Sequence, residues 1–190
     1  MPSLTDKEKE LVAIGASIGA GCQPCAQYHV GAGLKAGLTR DEVSWAIDGA
    51  QAVRREGGIA VSNVGRRILG VEREQAGTLS KPGERGQALV YIGAAAGCNA
   101  GSLLQGYIAT AVERLGLGVD EVRSAVELAE VVKQRAADFV RRDIGRALGQ
   151  REEAAAVTAL ASEEAGGTGA CCEPPSEEGG NTGACCGPAS

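Results

Sequence analysis

The hexapeptide Leu11-Val12-Ala13-Ile14-Gly15-Ala16 returns 78 residues later as Leu89-Val90-Tyr91-Ile92-Gly93-Ala94. A second match follows in the same order, because Asp41-Glu42-Val43 recurs as Asp120-Glu121-Val122 at an offset of 79. Two ordered matches whose offsets differ by one residue indicate an internal duplication with one inserted residue between them. The chain of 190 residues is therefore predicted to contain two related copies of one structural unit.

The local signals in the first copy are those of helices. Thr5-Asp6-Lys7-Glu8 and Thr39-Arg40-Asp41-Glu42 are capping boxes, in which a threonine and a glutamate three residues later bond each other's backbone N–H groups. The first box is expected to open a helix that ends at Gly19-Ala20-Gly21. Pro24 suits the first turn of a second helix, and Gly37 suits its end.

The third helix of each copy carries the same apolar stripe at helical spacing. Its positions are Val43, Ala46, Ile47, Ala50 and Val53 in the first copy, and Val122, Ala125, Val126, Ala129 and Val132 in the second. In the first copy we expect Gly57-Gly58 to break this helix, with a short helix from Ile59 to Leu69 after it.

These signals predict an all-α, helical-bundle fold built from two degenerate repeats. The first repeat is assigned to residues 1–71, a linker to 72–85 and the second repeat to 86–162. Residues 163–190 are rich in Gly, Glu, Pro and Ser and lack branched aliphatic or aromatic side chains. Such a segment cannot bury enough apolar surface to offset its ordering entropy, so it is predicted to be a disordered tail.

Composition excludes several classes of function. The net charge is −5 and the Lys and Arg residues form no cluster, which argues against nucleic-acid binding. No window approaches about 18 consecutive apolar residues, so no membrane span is expected. The polar amino terminus has no apolar segment typical of a signal peptide, and we therefore expect a cytoplasmic protein. In a reducing cytoplasm, the pairs among its seven cysteines are more often catalytic or metal-binding than structural.

One segment concentrates reactive groups, namely Cys22-Gln23-Pro24-Cys25-Ala26-Gln27-Tyr28-His29, which holds the only histidine of the chain. If the second helix begins near Pro24, its N-terminus stabilises a thiolate at Cys22 or Cys25. His29 lies one turn beyond Cys25, where an imidazole can accept the thiol proton. This favours Cys25 as the activated thiol, although the helix N-terminus also favours Cys22. The alternative is a zinc site in which Cys22, Cys25 and His29 supply three ligands.

The spacing Glu10-x11-Cys22-x2-Cys25-x3-His29 resembles the active-site pattern of AhpD-like alkylhydroperoxidases, which belong to the carboxymuconolactone decarboxylase superfamily. Residues 34–43 resemble the continuation of that pattern. The resemblance covers about residues 4–70, and more weakly 83–148 as a second copy.

This resemblance implies an all-helical homo-oligomer that reduces organic hydroperoxides or a partner's disulfide. Cys22 and Cys25 would be the redox pair, and Glu10 and His29 the proton relay. It implies no required cofactor and a thiol electron donor of the peroxiredoxin, lipoyl or thioredoxin type. Lactone decarboxylation is disfavoured, since the decarboxylases of the superfamily generally lack the cysteine pair.

The second copy lacks these groups. Gly101, Leu104 and Ile108 are expected opposite Cys22, Cys25 and His29, and its one thiol, Cys98, is solitary. We interpret this copy as structural, with Cys98 as a small buried apolar residue.

The tail carries four more thiols, because Thr168-Gly169-Ala170-Cys171-Cys172 recurs as Thr182-Gly183-Ala184-Cys185-Cys186. Vicinal cysteines form strained disulfides with each other, and thiolates bind soft ions such as Cu(I), Hg(II) or trivalent arsenic and antimony. The pairs loosely resemble the vicinal-cysteine segments of metalloid chaperones. Cys171, Cys172, Cys185 and Cys186 are therefore candidate ligands of a thiophilic metal or metalloid. A second hypothesis is that they pass electrons to Cys22 and Cys25 by disulfide exchange.

Overall fold

The computed structural model describes residues 3–165 except 76, 78 and 80, and it describes side chains as far as residue 150. All regular secondary structure in the described residues is helical, which confirms the predicted all-α fold. The six helices are α1 (Asp6–Ala20), α2 (Gln23–Lys35), α3 (Arg40–Ile68), α4 (Arg85–Gly97), α5 (Gly101–Leu115) and α6 (Val119–Ala165). None of the helices in the described ranges combines the length and apolar character needed to cross a membrane.

The chain divides into two compact units, one as far as Gly145 and one from Arg146 onward. The first unit contains α1 to α5 and most of α6, and the described part of the second is the carboxyl-terminal stretch of α6. The described residues of the predicted linker 72–85 are not helical until α4 begins at Arg85. Helix α6 ends at Ala165, three residues beyond the predicted end of the second repeat.

Both predicted capping boxes are formed. The Thr5 hydroxyl accepts a hydrogen bond from the backbone N–H of Glu8 at 3.3 Å, and the Thr5 N–H donates to the Glu8 carboxylate at 2.8 Å. Thr39 and Glu42 repeat this exchange at 3.1 and 2.6 Å. The other end of α1 is capped by Gly21, which has the left-handed backbone (φ 69°) that glycine adopts without a steric penalty.

The predicted break at Gly57-Gly58 is wrong, because α3 continues through both glycines to Ile68. A glycine inside a helix costs about 1 kcal/mol relative to alanine, which packing on one face can offset. Gly57 is buried where α3 passes the turn between α4 and α5, and a Cβ there would lie 3.0 Å from the Cβ of Ala100 and 3.2 Å from the sulfur of Cys98. Gly57 therefore permits close helix packing and does not end the helix.

Helices α1 and α4 cross at the centre of the core. Val12, Ile14, Leu89, Val90 and Ile92 are fully buried there. Side chains of this size bury enough apolar surface to contribute about 1.5–3 kcal/mol each.

Glycines make this crossing unusually close. A Cβ on Gly15 would collide with the carbonyl oxygen of Val90, and a Cβ on Gly93 would collide with that of Val12. Both pairs of equivalent residues, Gly15 with Gly93 and Val12 with Val90, are 78 positions apart. The same reciprocity holds for Gly19 with Ala94 and for Gly97 with Ala16. This two-way contact supports the proposal that the two halves are copies of one unit.

Arg85, at the start of α4, joins the first turns of three helices. Its guanidinium donates to Glu8 of α1 at 2.5 Å and to Glu121 of α6 at 2.7 Å. Glu121 is only 6% exposed and also accepts from the backbone N–H of Gly118 at 2.8 Å. The hydrogen bonds from Arg85 and Gly118 lower the pKa of Glu121. Burial acts to raise the pKa of Glu8, but the hydrogen bonds from Arg85 and Thr5 outweigh it and lower that pKa.

Candidate functional site

Cys22 and Cys25 lie at the start of α2, as predicted. Cys22 is the N-cap residue, and its sulfur accepts a hydrogen bond from the backbone N–H of Cys25 at 3.2 Å. Pro24 occupies the first turn, where its missing N–H leaves no helical hydrogen bond unmade. The two cysteines form a disulfide with a Cα–Cα distance of 5.2 Å. They are 7% and 5% exposed, so the pair is covered but lies near the surface.

Glu10 and His29 form the second part of the site. The Nδ1 atom of His29 lies 2.9 Å from a carboxylate oxygen of Glu10, and their side chains are 16% and 21% exposed. Glu10 is on α1 and His29 on α2, so the hairpin of these two helices brings them together. When Nδ1 donates its proton to the carboxylate, Nε2 has the lone pair and can accept a proton from another group. The predicted relay pair is therefore in contact.

Gly33 allows α2 to approach α1 beside this pair. A Cβ on Gly33 would lie 2.8 Å from a methyl carbon of Leu38, 3.4 Å from one of Ile14 and 3.6 Å from the Cβ of Glu10. The glycine thus leaves room for the side chains of Leu38, Ile14 and Glu10. Sequence reasoning missed this residue, because the need for a glycine comes from the neighbouring helix and has no local signal.

An open groove of about 360 Å³ adjoins the disulfide at the meeting point of α1, α2 and α3. Its lining residues are Ser17, Ile18, Gly21, Cys22, Gln23, Ala26, Gln51 and Arg54. Cys22 is thus the member of the pair that lines the groove. Sequence reasoning missed Gln51 and Arg54, because nothing in their spacing relates them to the end of α1.

The second copy lacks the chemistry, and its equivalent positions differ by one residue from those predicted. The left-handed residue before α5 is Asn99 (φ 58°), equivalent to Gly21, and the N-cap is Ala100, equivalent to Cys22. An offset of 78 then places Leu103 and Tyr107 opposite Cys25 and His29. The predicted counterparts Gly101, Leu104 and Ile108 each lie one residue too far, because the inserted residue falls later than the start of α5.

Cys98 is a free thiol in a partly buried position. Its sulfur lies 3.7 Å from the carbonyl oxygen of Ala95. Burial raises the pKa of the Cys98 thiol, which keeps it protonated at neutral pH. A protonated, partly buried thiol is a poor nucleophile, and this environment agrees with the predicted packing role.

The alternative to a redox pair at Cys22, Cys25 and His29 is a zinc site. Within the described residues, no group of three or more His, Cys, Asp or Glu side chains is arranged to hold a metal ion. The predicted tail ligands Cys171, Cys172, Cys185 and Cys186 lie outside the described residues.

The fold and the site define a class of protein, an all-helical bundle with a Cys-x-x-Cys disulfide at a helix N-terminus and a carboxylate–imidazole pair on the same helical hairpin. Residues 2–61 match the model of the carboxymuconolactone decarboxylase family, which includes the AhpD-like proteins. The match spans α1, α2 and most of α3 and contains all four predicted site residues, so the predicted resemblance to this family is confirmed over that segment. No curated protein and no solved structure matches the chain.

Proposed function

We propose that this protein is a thiol-dependent oxidoreductase that reduces organic hydroperoxides or the disulfide of a partner protein. Cys22 and Cys25 would be the redox pair, and Glu10 and His29 the proton relay. The observation that carries the proposal is the 2.9 Å contact between Glu10 and His29 on the same helical hairpin as the Cys22–Cys25 disulfide. The family match of residues 2–61 supports an activity of this kind.

The proposed cycle moves two electrons. In the reduced protein, one thiolate attacks the hydroperoxide, an S–O bond forms, the O–O bond breaks and the alcohol leaves with one proton. The other cysteine then attacks the resulting sulfenic acid, releases water and closes the Cys22–Cys25 disulfide. An external dithiol reduces that disulfide and restores the starting state. Because the cysteines themselves carry the electrons, the cycle needs no further cofactor.

His29 and Glu10 would act on the protons of this cycle. Nε2 of His29 takes the thiol proton and returns it to the leaving alkoxide. The carboxylate of Glu10 fixes the tautomer of the imidazole and stabilises its protonated form. His29 is four residues after Cys25, which favours Cys25 as the thiol it activates, whereas Cys22 is the cysteine that lines the groove. We propose a thiol partner of the peroxiredoxin, lipoyl or thioredoxin type as the electron donor.

The test is hydroperoxide-dependent oxidation of an added dithiol by the full chain. We expect Cys22→Ser and Cys25→Ser to abolish turnover. His29→Asn should lower the rate about 100-fold or more, within the usual contribution of a general acid–base group. Cys98→Ser is the matched control and should retain the wild-type rate. An unchanged rate in Cys25→Ser would refute the proposal.

We also propose that the tail binds a thiophilic metal or metalloid through Cys171, Cys172, Cys185 and Cys186. The duplicated Thr-Gly-Ala-Cys-Cys motif favours this second function. Titration of the reduced protein with trivalent arsenic should show binding that is lost when the four tail cysteines become serine. The double variant Cys22→Ser/Cys25→Ser is the control and should retain it. Full binding in a chain truncated after Glu164 would rule out a role for the tail.

A further inference from the structure

Among the described residues, Arg54 is the only charged one that lines the groove beside Cys22. Among the residues that the structure describes, no carboxylate lies within ion-pair distance of its guanidinium. The groove therefore combines a positive charge that has no ion-pair partner among the described residues with a wall that includes Cys22.

The backbone at the end of α1 holds this guanidinium in place. Its Nη1 atom donates to the carbonyl oxygen of Ile18 at 3.2 Å. It also lies against Gly21, where a Cβ would be 2.7 Å from Nη2, so the close approach depends on the glycine. A guanidinium has five N–H donors, and most of them stay available to a ligand. A cation fixed in this way loses little conformational entropy when it binds an anion.

The remaining lining suits a small amphipathic molecule. Ile18 and Ala26 give the groove apolar walls, while Gln23 and Gln51 add neutral polar groups. A volume of about 360 Å³ is at the lower end of the range of small-molecule sites. We propose that the groove selects substrates that carry a carboxylate, which Arg54 binds while the reacting O–O or S–S bond is presented to Cys22. This inference rests on the proposed function and narrows its substrate class to acidic hydroperoxides and disulfides.

The test uses disulfide exchange, which does not depend on peroxidase turnover. The fully reduced chain is mixed with dithiobis(nitrobenzoate), which carries two carboxylates, or with dithiodipyridine, which is neutral. The Cys22 thiolate attacks a probe sulfur, forms a mixed disulfide and releases one aromatic thiol. Cys25 then attacks the Cys22 sulfur, closes the Cys22–Cys25 disulfide and releases the second thiol. Mass spectrometry of the peptide with Cys22 and Cys25 reports the rate at which this pair is oxidised.

The variants separate charge from structure. Arg54→Gln removes the charge but keeps an N–H donor for the Ile18 carbonyl, and Arg54→Lys keeps the charge. Arg55→Gln is the matched control, because Arg55 is exposed, adjacent in sequence and absent from the groove lining. We expect Arg54→Gln to slow the anionic probe about 10-fold and leave the neutral probe unchanged, as expected for one charged hydrogen-bonded contact. Arg54→Lys and Arg55→Gln should stay within about 3-fold of wild type for both probes.

Two results would overturn the inference. Equal slowing of both probes in Arg54→Gln would mean that Arg54 only supports the end of α1, and no slowing would mean that its charge is unused. Should Arg54→Gln fail to fold, the wild-type protein provides the test, since added salt must slow the anionic probe selectively if Arg54 attracts it.

Selective exchange without hydroperoxide turnover would refute the peroxidase proposal and leave the anion selectivity intact. Hydroperoxide turnover by the wild-type protein, together with the same probe preference in Arg54→Gln as in wild type, would refute the anion selectivity and leave the peroxidase proposal intact.

Discussion

Replacing Gly93 with alanine tests the close crossing of α1 and α4. The added Cβ would collide with the carbonyl oxygen of Val12 and lie 3.1 Å from its carbonyl carbon. Both obstacles are backbone atoms of a helix, so no side-chain rotation can relieve the contact. The two helices must move apart, which loosens the packing of the fully buried Ile14 and Leu89.

The expected loss follows from two opposing terms. Forcing extra volume into a well-packed core costs typically about 1–3 kcal/mol, and the upper end applies because the obstacle is rigid. Replacing glycine by alanine inside a helix returns up to about 1 kcal/mol. The net prediction is a free energy of unfolding lower by about 2 kcal/mol. For a chain of this size the midpoint of thermal unfolding should fall by roughly 4–8 °C.

Gly106→Ala is the matched control. Gly106 is an exposed residue inside α5 with no heavy atom within 4 Å of its added Cβ, so only the helix-propensity term applies. That substitution should stabilise the protein by about 0.5–1 kcal/mol. Urea unfolding followed by circular dichroism measures both variants. If Gly93→Ala proves as stable as Gly106→Ala, the close crossing of α1 and α4 is refuted.

Three further predictions follow from the helix starts and from the buried thiol. Arg85→Gln should lower the free energy of unfolding by about 2 kcal/mol at neutral pH. The pKa values of Glu8 and Glu121 are lowered from 4.5 in the folded state, so this stabilisation exists above that pH and is lost as the pH falls. The wild-type advantage in urea unfolding should thus shrink in acid, and a constant difference would contradict the assignment. Thr39→Ala should cost about 1 kcal/mol through loss of the capping box, and an unchanged urea midpoint would exclude that role. At neutral pH, Cys98 should react with iodoacetamide more slowly than free glutathione, because burial raises its pKa; an equal rate would show an accessible thiol.

The local features of the fold were predictable from sequence. Each capping box needs only four consecutive residues, and Thr5 and Thr39 form the expected bonds. The contact of Glu10 with His29 was also predictable, because the sequence signals place them on consecutive helices that a short turn joins.

Features that depend on distant neighbours could not be predicted. Gly57 resembles a helix breaker in sequence, yet it is required where α3 meets Ala100 and Cys98. The predicted position of the inserted residue was also wrong. Only the left-handed backbone of Asn99, which matches that of Gly21, shows how α5 aligns with α2. Arg54 lies at the groove because α1, α2 and α3 meet there, and no residue spacing in the sequence indicates that these helices meet.

The two copies differ in the surroundings of the position that His29 occupies in the first. At the position of His29, the second copy has Tyr107, which is 6% exposed and packs its ring 5.2 Å from that of Tyr91. Burial and the neighbouring Tyr91 raise the pKa of Tyr107 to about 12, so its hydroxyl stays protonated near neutral pH. The second copy thus has a core-packing side chain where the first has a partly exposed imidazole. Since α1 and α4 contact each other reciprocally, that packing also holds the helix that carries Glu10.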